Sequence, residues 1–167
     1  MRPEERPEEI KVGIADWKTA LSPARLITLG LGSCVGIALY DGVNKIGGLA
    51  HIMLPESSQF REVDNRAKFA DLAIPDLLKS MLRLGARRAY ITAKLAGGAQ
   101  MFSSADKRLT ILNIGERNTQ AAQRVLASLG IPILAAETGG NYGRTMILDT
   151  SSGEVLIRTI GRPLKII

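Results

Sequence analysis

The chain has 167 residues, 46% of them hydrophobic, with a net charge of +6. That is enough apolar chain for one packed domain, and no polar linker divides it. One cysteine excludes an internal disulfide, and one cysteine with one histidine supplies too few soft ligands for a structural zinc site.

Met1 to Glu9 (MRPEERPEE) is charged and proline-bearing, and is expected to be a disordered tail ahead of a single domain over 10–167. It lacks the apolar core of a signal peptide, and no later run approaches membrane-spanning length. The expectation is a cytoplasmic protein with its thiol reduced and no membrane insertion. Ile10, Val12 and Ile14 alternate with polar or small residues and predict a first strand. Arg25 to Leu29 and Val35 to Tyr40 predict two more. Asp41-Gly42 is a turn signal, and Ile46 to Leu54 follows as the partner strand of a hairpin, closed by Pro55. A polar loop leads into a helix over Arg66 to Leu84, where Phe69, Leu72, Ala73, Leu77, Met81 and Leu84 recur at threes and fours. Pro75 inside it predicts a kink or a restart. Ala89 to Leu95 is a strand, Gly115 to Leu129 a second helix, and Ile131–Ala136, Arg144–Leu148 and Glu154–Ile160 are strands. The sum is a layered α/β sandwich, mostly strands, with about two long helices on one face.

The basic residues are scattered, and Arg87-Arg88 and Lys107-Arg108 are short pairs. Aromatic residues make up only 4%, too few for a base-stacking platform, so nucleic acid is not an expected partner.

The chemistry-bearing residues are the single cysteine, Cys34, after Thr28-Leu29-Gly30-Leu31-Gly32-Ser33, and the single histidine, His51, after Gly47-Gly48-Leu49-Ala50. A free cysteine is more often a small buried hydrophobe, and a histidine among apolar residues more often a core residue. The hairpin alters that balance. It places Cys34 at the start of one strand and His51 near the end of its antiparallel partner, so both come to one end of the pair. Glycines at 30 and 32 let the backbone bend and free N–H groups near Gly32, Ser33 and Cys34 to converge, as an oxyanion hole requires; a plain β-bulge is the alternative. A thiol attacks as thiolate, and an imidazole can take its proton. The ring then needs an orienting acceptor. Neither glycine-rich run holds a carboxylate, which leaves the Thr28 hydroxyl as candidate.

Thr28 to Val35 (TLGLGSCV) and Gly48 to Pro55 (GLAHIMLP) resemble the CheD family of chemoreceptor glutamine deamidases. The resemblance continues in Lys94 to Phe102 (KLAGGAQMF), Asn113 to Asn118 (NIGERN) and Glu137 to Arg144 (ETGGNYGR), five motifs in order over about residues 10–160. It implies a catalytic Cys34, His51 and Thr28, with no metal or organic cofactor. It implies deamidation of glutamines on the cytoplasmic helices of chemoreceptors, a fold like the deamidase toxins of the cytotoxic necrotising factor type, and binding to CheC, a phosphatase. Two rival readings are a binding regulator of CheC with secondary catalysis, and another cysteine acyl-transfer enzyme such as a transglutaminase or protease. Met101 and Phe102, after a glycine-rich turn, are either core residues or an anchor for receptor or CheC helices.

Overall fold

A computed structural model describes residues 6–101 and 113–167. Its strands are β1 (Glu8–Lys11), β2 (Asp16–Leu21), β3 (Ala24–Leu31), β4 (Val35–Asp41), β5 (Ile46–Ile52), β6 (Ile91–Gly97), β7 (Ile133–Thr138), β8 (Arg144–Asp149), β9 (Val155–Arg158) and β10 (Lys165–Ile166). They form two sheets, ordered β1-β3-β8-β9-β10 and β2-β5-β4-β6-β7. Two helices, α1 (Ala70–Arg83) and α2 (Ile114–Ser128), pack on the outer face of the second sheet. The strand-dominated α/β expectation, with two helices on one face, matches this arrangement.

Three layers make two cores. Val35, Ile37, Leu39, Ala50 and Ile52 point at the helices and meet Ala73, Ile74, Leu77, Met81 and Leu126. Ala38 and Leu49 point the other way, to Leu26, Leu31, Met146 and Leu148 of the first sheet. Period-two alternation therefore assigns His51 to the inter-sheet side, the side of Leu49. Each fully buried leucine or isoleucine contributes about 1.5–3 kcal/mol.

The predicted hairpin is present. β4 and β5 pair antiparallel from Val35↔Ile52 to Asp41↔Ile46. Asp41 closes the turn by accepting from Val43 N and Asn44 N, both at 2.9 Å.

Four expectations need correction. Glu8 and Glu9, assigned to a disordered 1–9 tail, lie in β1, which pairs parallel with β3 in the register Glu8↔Ala24 and Glu9↔Arg25. Backbone pairing, not an apolar pattern, fixes this strand. The strand expected over Ile10 to Ile14 accordingly ends at Lys11. β2 was not anticipated: it is an edge strand whose burial shows no clean alternation. The first helix begins at Ala70 after a short 3-10 turn at Arg66–Lys68, and runs unbroken through Pro75. The first helical bond is Ala73 N to Phe69 O, so a proline two residues later removes a single early bond, the one to Asp71 O.

Candidate active site

β3 brings Thr28 to the site from the first sheet, and β5 brings His51 from the second. Both are fully buried. The Thr28 hydroxyl lies 2.8 Å from Val12 O and 2.7 Å from His51 Nδ1. A backbone carbonyl only accepts, so the single hydroxyl proton goes to Val12 O. The hydroxyl oxygen must then accept from His51 Nδ1–H, which leaves Nε2 with its lone pair free. That nitrogen is buried and has no hydrogen-bond partner among the described residues. Thr28 thus fixes both the orientation and the tautomer of the ring across the inter-sheet gap.

Cys34 immediately precedes β4 and is half-buried against the inter-sheet core. The register sets Gly36 opposite His51, so Cys34 is the diagonal neighbour of His51 on the same face. Diagonal neighbours in such ladders are about 7–8 Å apart, within reach of longer side chains. Gly36, opposite His51 on this face, lets Met146 and Leu31 pack directly over the strand. A Cβ there would meet Met146 Sδ at 2.5 Å.

The turn ahead of Cys34 is pinned through its carbonyls. Ala99 N donates to Gly32 O and Gly98 N to Cys34 O, each at 2.8 Å. Asn118 Nδ2, from α2, donates to Ser33 O at 3.0 Å and to Met53 O at 2.9 Å. Among the described residues, Ser33 N–H and Cys34 N–H reach no acceptor on another residue. Gly30 has a φ of 70° at the point where the β3–β8 register slips, so the bulge is real and sits directly before these free donors. Gly97, with a φ of 100°, allows β6 to approach so closely that any Cβ there would strike Cys34 O. Arg144 ties down the neighbouring turns, donating from Nη2 to Gly139 O at 2.7 Å and from Nη1 to Gly97 O at 3.3 Å.

Burial pushes the Cys34 thiol up, and the opposing pull of its own backbone N–H is smaller. Burial lowers the His51 ring from 6.5 to about 4. Both shifts favour the uncharged forms. The resting pair is a thiol and a neutral imidazole, not a stored thiolate and imidazolium. Such a pair serves a mechanism in which the proton moves as the sulfur attacks.

Thr28, Cys34 and His51, singled out in the sequence, come together here, as do Gly32 and Ser33. Met101 is exposed, and its side chain covers Gly32. Phe102 lies outside the described residues. Asn118 and Arg144 stand within motifs noted in the sequence, but the bonds of Asn118 to Ser33 O and Met53 O, and of Arg144 to Gly97 O, are to backbone carbonyls of distant turns. No spacing signals such bonds.

Fold and site define a class: a strand-rich α/β protein with a half-buried thiol on the same sheet face as a buried imidazole held by a hydroxyl. A family model described as CheD chemotactic sensory transduction matches residues 53–159. The probable chemoreceptor glutamine deamidase CheD of Moorella thermoacetica is 64% identical over 162 residues, covering 97% of each chain. The protein of the same name from Desulforamulus reducens is 61% identical over 159 residues, covering 95% of each. The chain belongs to the CheD family. In fold it is similar to a hypothetical protein YfiH of Bacillus licheniformis, with a TM-score of 0.50 at 16% identity, covering 75% of this chain and 51% of that one. A Neisseria meningitidis protein of family DUF152 has a TM-score of 0.51 at 9% identity, covering 93% of this chain and 76% of the other.

Proposed function

We propose that this protein hydrolyses the side-chain amides of selected chemoreceptor glutamines to glutamates, through a thioester on Cys34. Near-full-length similarity to proteins named chemoreceptor glutamine deamidase supports the substrate. The observation that carries the chemistry is the His51 ring, anchored at Nδ1 by Thr28 with Nε2 free, on the same face as the thiol.

His51 Nε2 takes the thiol proton as Cys34 Sγ bonds to the amide carbon. Ser33 N–H and Cys34 N–H hold the oxyanion. The imidazolium returns the proton to the leaving nitrogen, the C–N bond breaks, and ammonia departs. A water then gives a proton to Nε2 and attacks the thioester. The C–S bond breaks, and the proton returns to sulfur. The product is a carboxylic acid side chain, and no step calls on a cofactor.

This reading includes the finer fold expectation, a likeness to the necrotising-factor deamidases, supported by the two-sheet sandwich with the pair at one end. It places the protein in the cytoplasm; no described helix is long and apolar enough to cross a membrane. A CheC-type phosphatase is the second proposed partner. Met101, exposed beside Gly32, and Phe102 after it form the proposed contact for either partner.

Mass analysis of a receptor cytoplasmic fragment after incubation tests the function. An amide-to-acid shift with wild type, absent with Cys34→Ala, is the expected result. A primary-amine adduct would mean transglutamination, and cleavage would mean proteolysis. No change to the fragment, with activation of CheC, would leave only the regulatory role.

A further inference from the structure

Asn118 is a fully buried asparagine in the middle of α2, next to the apolar Ala121 and Ala122. Asparagine is a poor helix former, and its Oδ1 is buried with no partner among the described residues. Neither property helps packing. What the side chain does provide is a pair of bonds from Nδ2, to Ser33 O and to Met53 O. The amide cannot be turned over, because Oδ1 would then face two carbonyl oxygens.

In a trans peptide the C=O and the following N–H point in opposite directions. Holding Ser33 O on the helix side therefore turns the Cys34 N–H away from Asn118. The next carbonyl, Cys34 O, is held independently by Gly98 N, and the one before, Gly32 O, by Ala99 N. Of the three peptides running through the turn, only Ser33–Cys34 depends on a side chain for its orientation. We propose that Asn118 is a positioning residue that fixes the Ser33–Cys34 peptide so that Cys34 N–H faces the oxyanion, an inference that rests on the deamidase reading above. Through Met53 O it also joins the Cys34 turn to the end of β5, two residues beyond His51.

The test compares wild type, Asn118→Leu and Asn118→Asp on the same receptor fragment. Leucine keeps the approximate shape and deletes both bonds, while aspartate puts an acceptor against two carbonyls. Three quantities are read: kcat and KM for deamidation, the rate of Cys34 alkylation by iodoacetamide, and the thermal midpoint. Alkylation uses the thiol but develops no oxyanion. The expected result is a kcat lower by about 100–1,000-fold, the range for losing one oxyanion donor, with KM and alkylation within about twofold. Asn118→Asp should lose at least as much. If Asn118→Leu does not fold, Asn118→Ser, which keeps one donor, takes its place and should show a smaller loss of the same kind. An unchanged kcat with a lowered thermal midpoint overturns the inference, because Asn118 would then be structural only. So does a parallel fall in kcat and alkylation, which would mean that the whole site has shifted. Absence of turnover by wild type overturns the deamidase reading and this inference together, whereas failure of the variant pattern with active wild type overturns this inference alone.

Discussion

At the turn end of the β4–β5 hairpin, Asp41 accepts from Val43 N, Asn44 N, Asn44 Nδ2 and Arg87 N. Nearby, Thr150 Oγ1 donates to Ala24 O and accepts from Ala24 N. At the open end, among the described residues, His51 Nε2, Asn118 Oδ1 and Arg144 Nε are buried without partners, and the Ser33 and Cys34 N–H groups reach no acceptor on another residue. The one such buried atom toward the turn end, Arg25 Nε, still has the Asp149 carboxylate at 3.4 Å. Both ends bury polar groups within one fold. A saturated cluster needs nothing more, so its role is to hold the turn. An unsaturated one forgoes hydrogen bonds that folding alone would favour, and a substrate can supply them. The same hairpin thus separates a structural end from a reactive end.

The sharpest break of this comparison comes at the nucleophile. Cys34→Ala should lower deamidation by about four orders of magnitude while changing stability by less than about 1 kcal/mol. His51→Ala should lose nearly as much, and the double variant little more, because the two act as one unit. Turnover by Cys34→Ala within about tenfold of wild type would remove the open end's chemical meaning.

Thr28 tests whether the ring's anchor matters to chemistry or only to packing. Thr28→Ala should lower kcat by about 10–100-fold, and Thr28→Ser should recover most of that, since serine keeps the accepting oxygen. A wild-type kcat for Thr28→Ala would reduce Thr28 to a core residue.

The turn end should behave in the opposite way. Asp41→Ala strands several N–H donors and should cost about 2–4 kcal/mol in a denaturant melt, with activity per folded molecule unchanged. Burial raises the Asp41 carboxyl, but the bonds from Asn44, Arg87 and Val43 outweigh it and hold the group low. A loss of kcat in folded Asp41→Ala would erase the distinction between the ends.

The last effect is in pH-dependent stability. His51 titrates at 6.5 in an ordinary setting and at about 4 in the fold. The unfolded chain therefore binds more protons between these values. Stability is full above about 6.5 and is lost as pH falls toward about 4, by about 2–3 kcal/mol. Unfolding of wild type and His51→Gln across that range should diverge by this amount. Parallel curves would mean that the ring is not held neutral.

The open end was legible where chemistry follows strand geometry. Asp41-Gly42 marked the hairpin, and antiparallel pairing then carried Cys34 and His51 to one end. Thr28 was reached because no carboxylate stood in either glycine-rich run. β2 was not legible, because an edge strand with Lys18 and Thr19 facing outward or half-buried shows no period-two pattern. β1 was hidden for a related reason: Glu8 and Glu9 are exposed and held by backbone pairing. Asn118 escaped because its partners are main-chain atoms 85 and 65 residues away, and carbonyls leave no trace in a sequence.

The chain's single histidine allows one measurement to reach the centre of the site without assignment. Nitrogen NMR of the imidazole reads its charge and tautomer together. The expected result is a neutral ring at neutral pH, protonated on Nδ1, that titrates near 4 and shifts when Thr28 is changed to alanine. An imidazolium at neutral pH, or a neutral ring with its proton on Nε2, would contradict the uncharged thiol–imidazole pair anchored by Thr28.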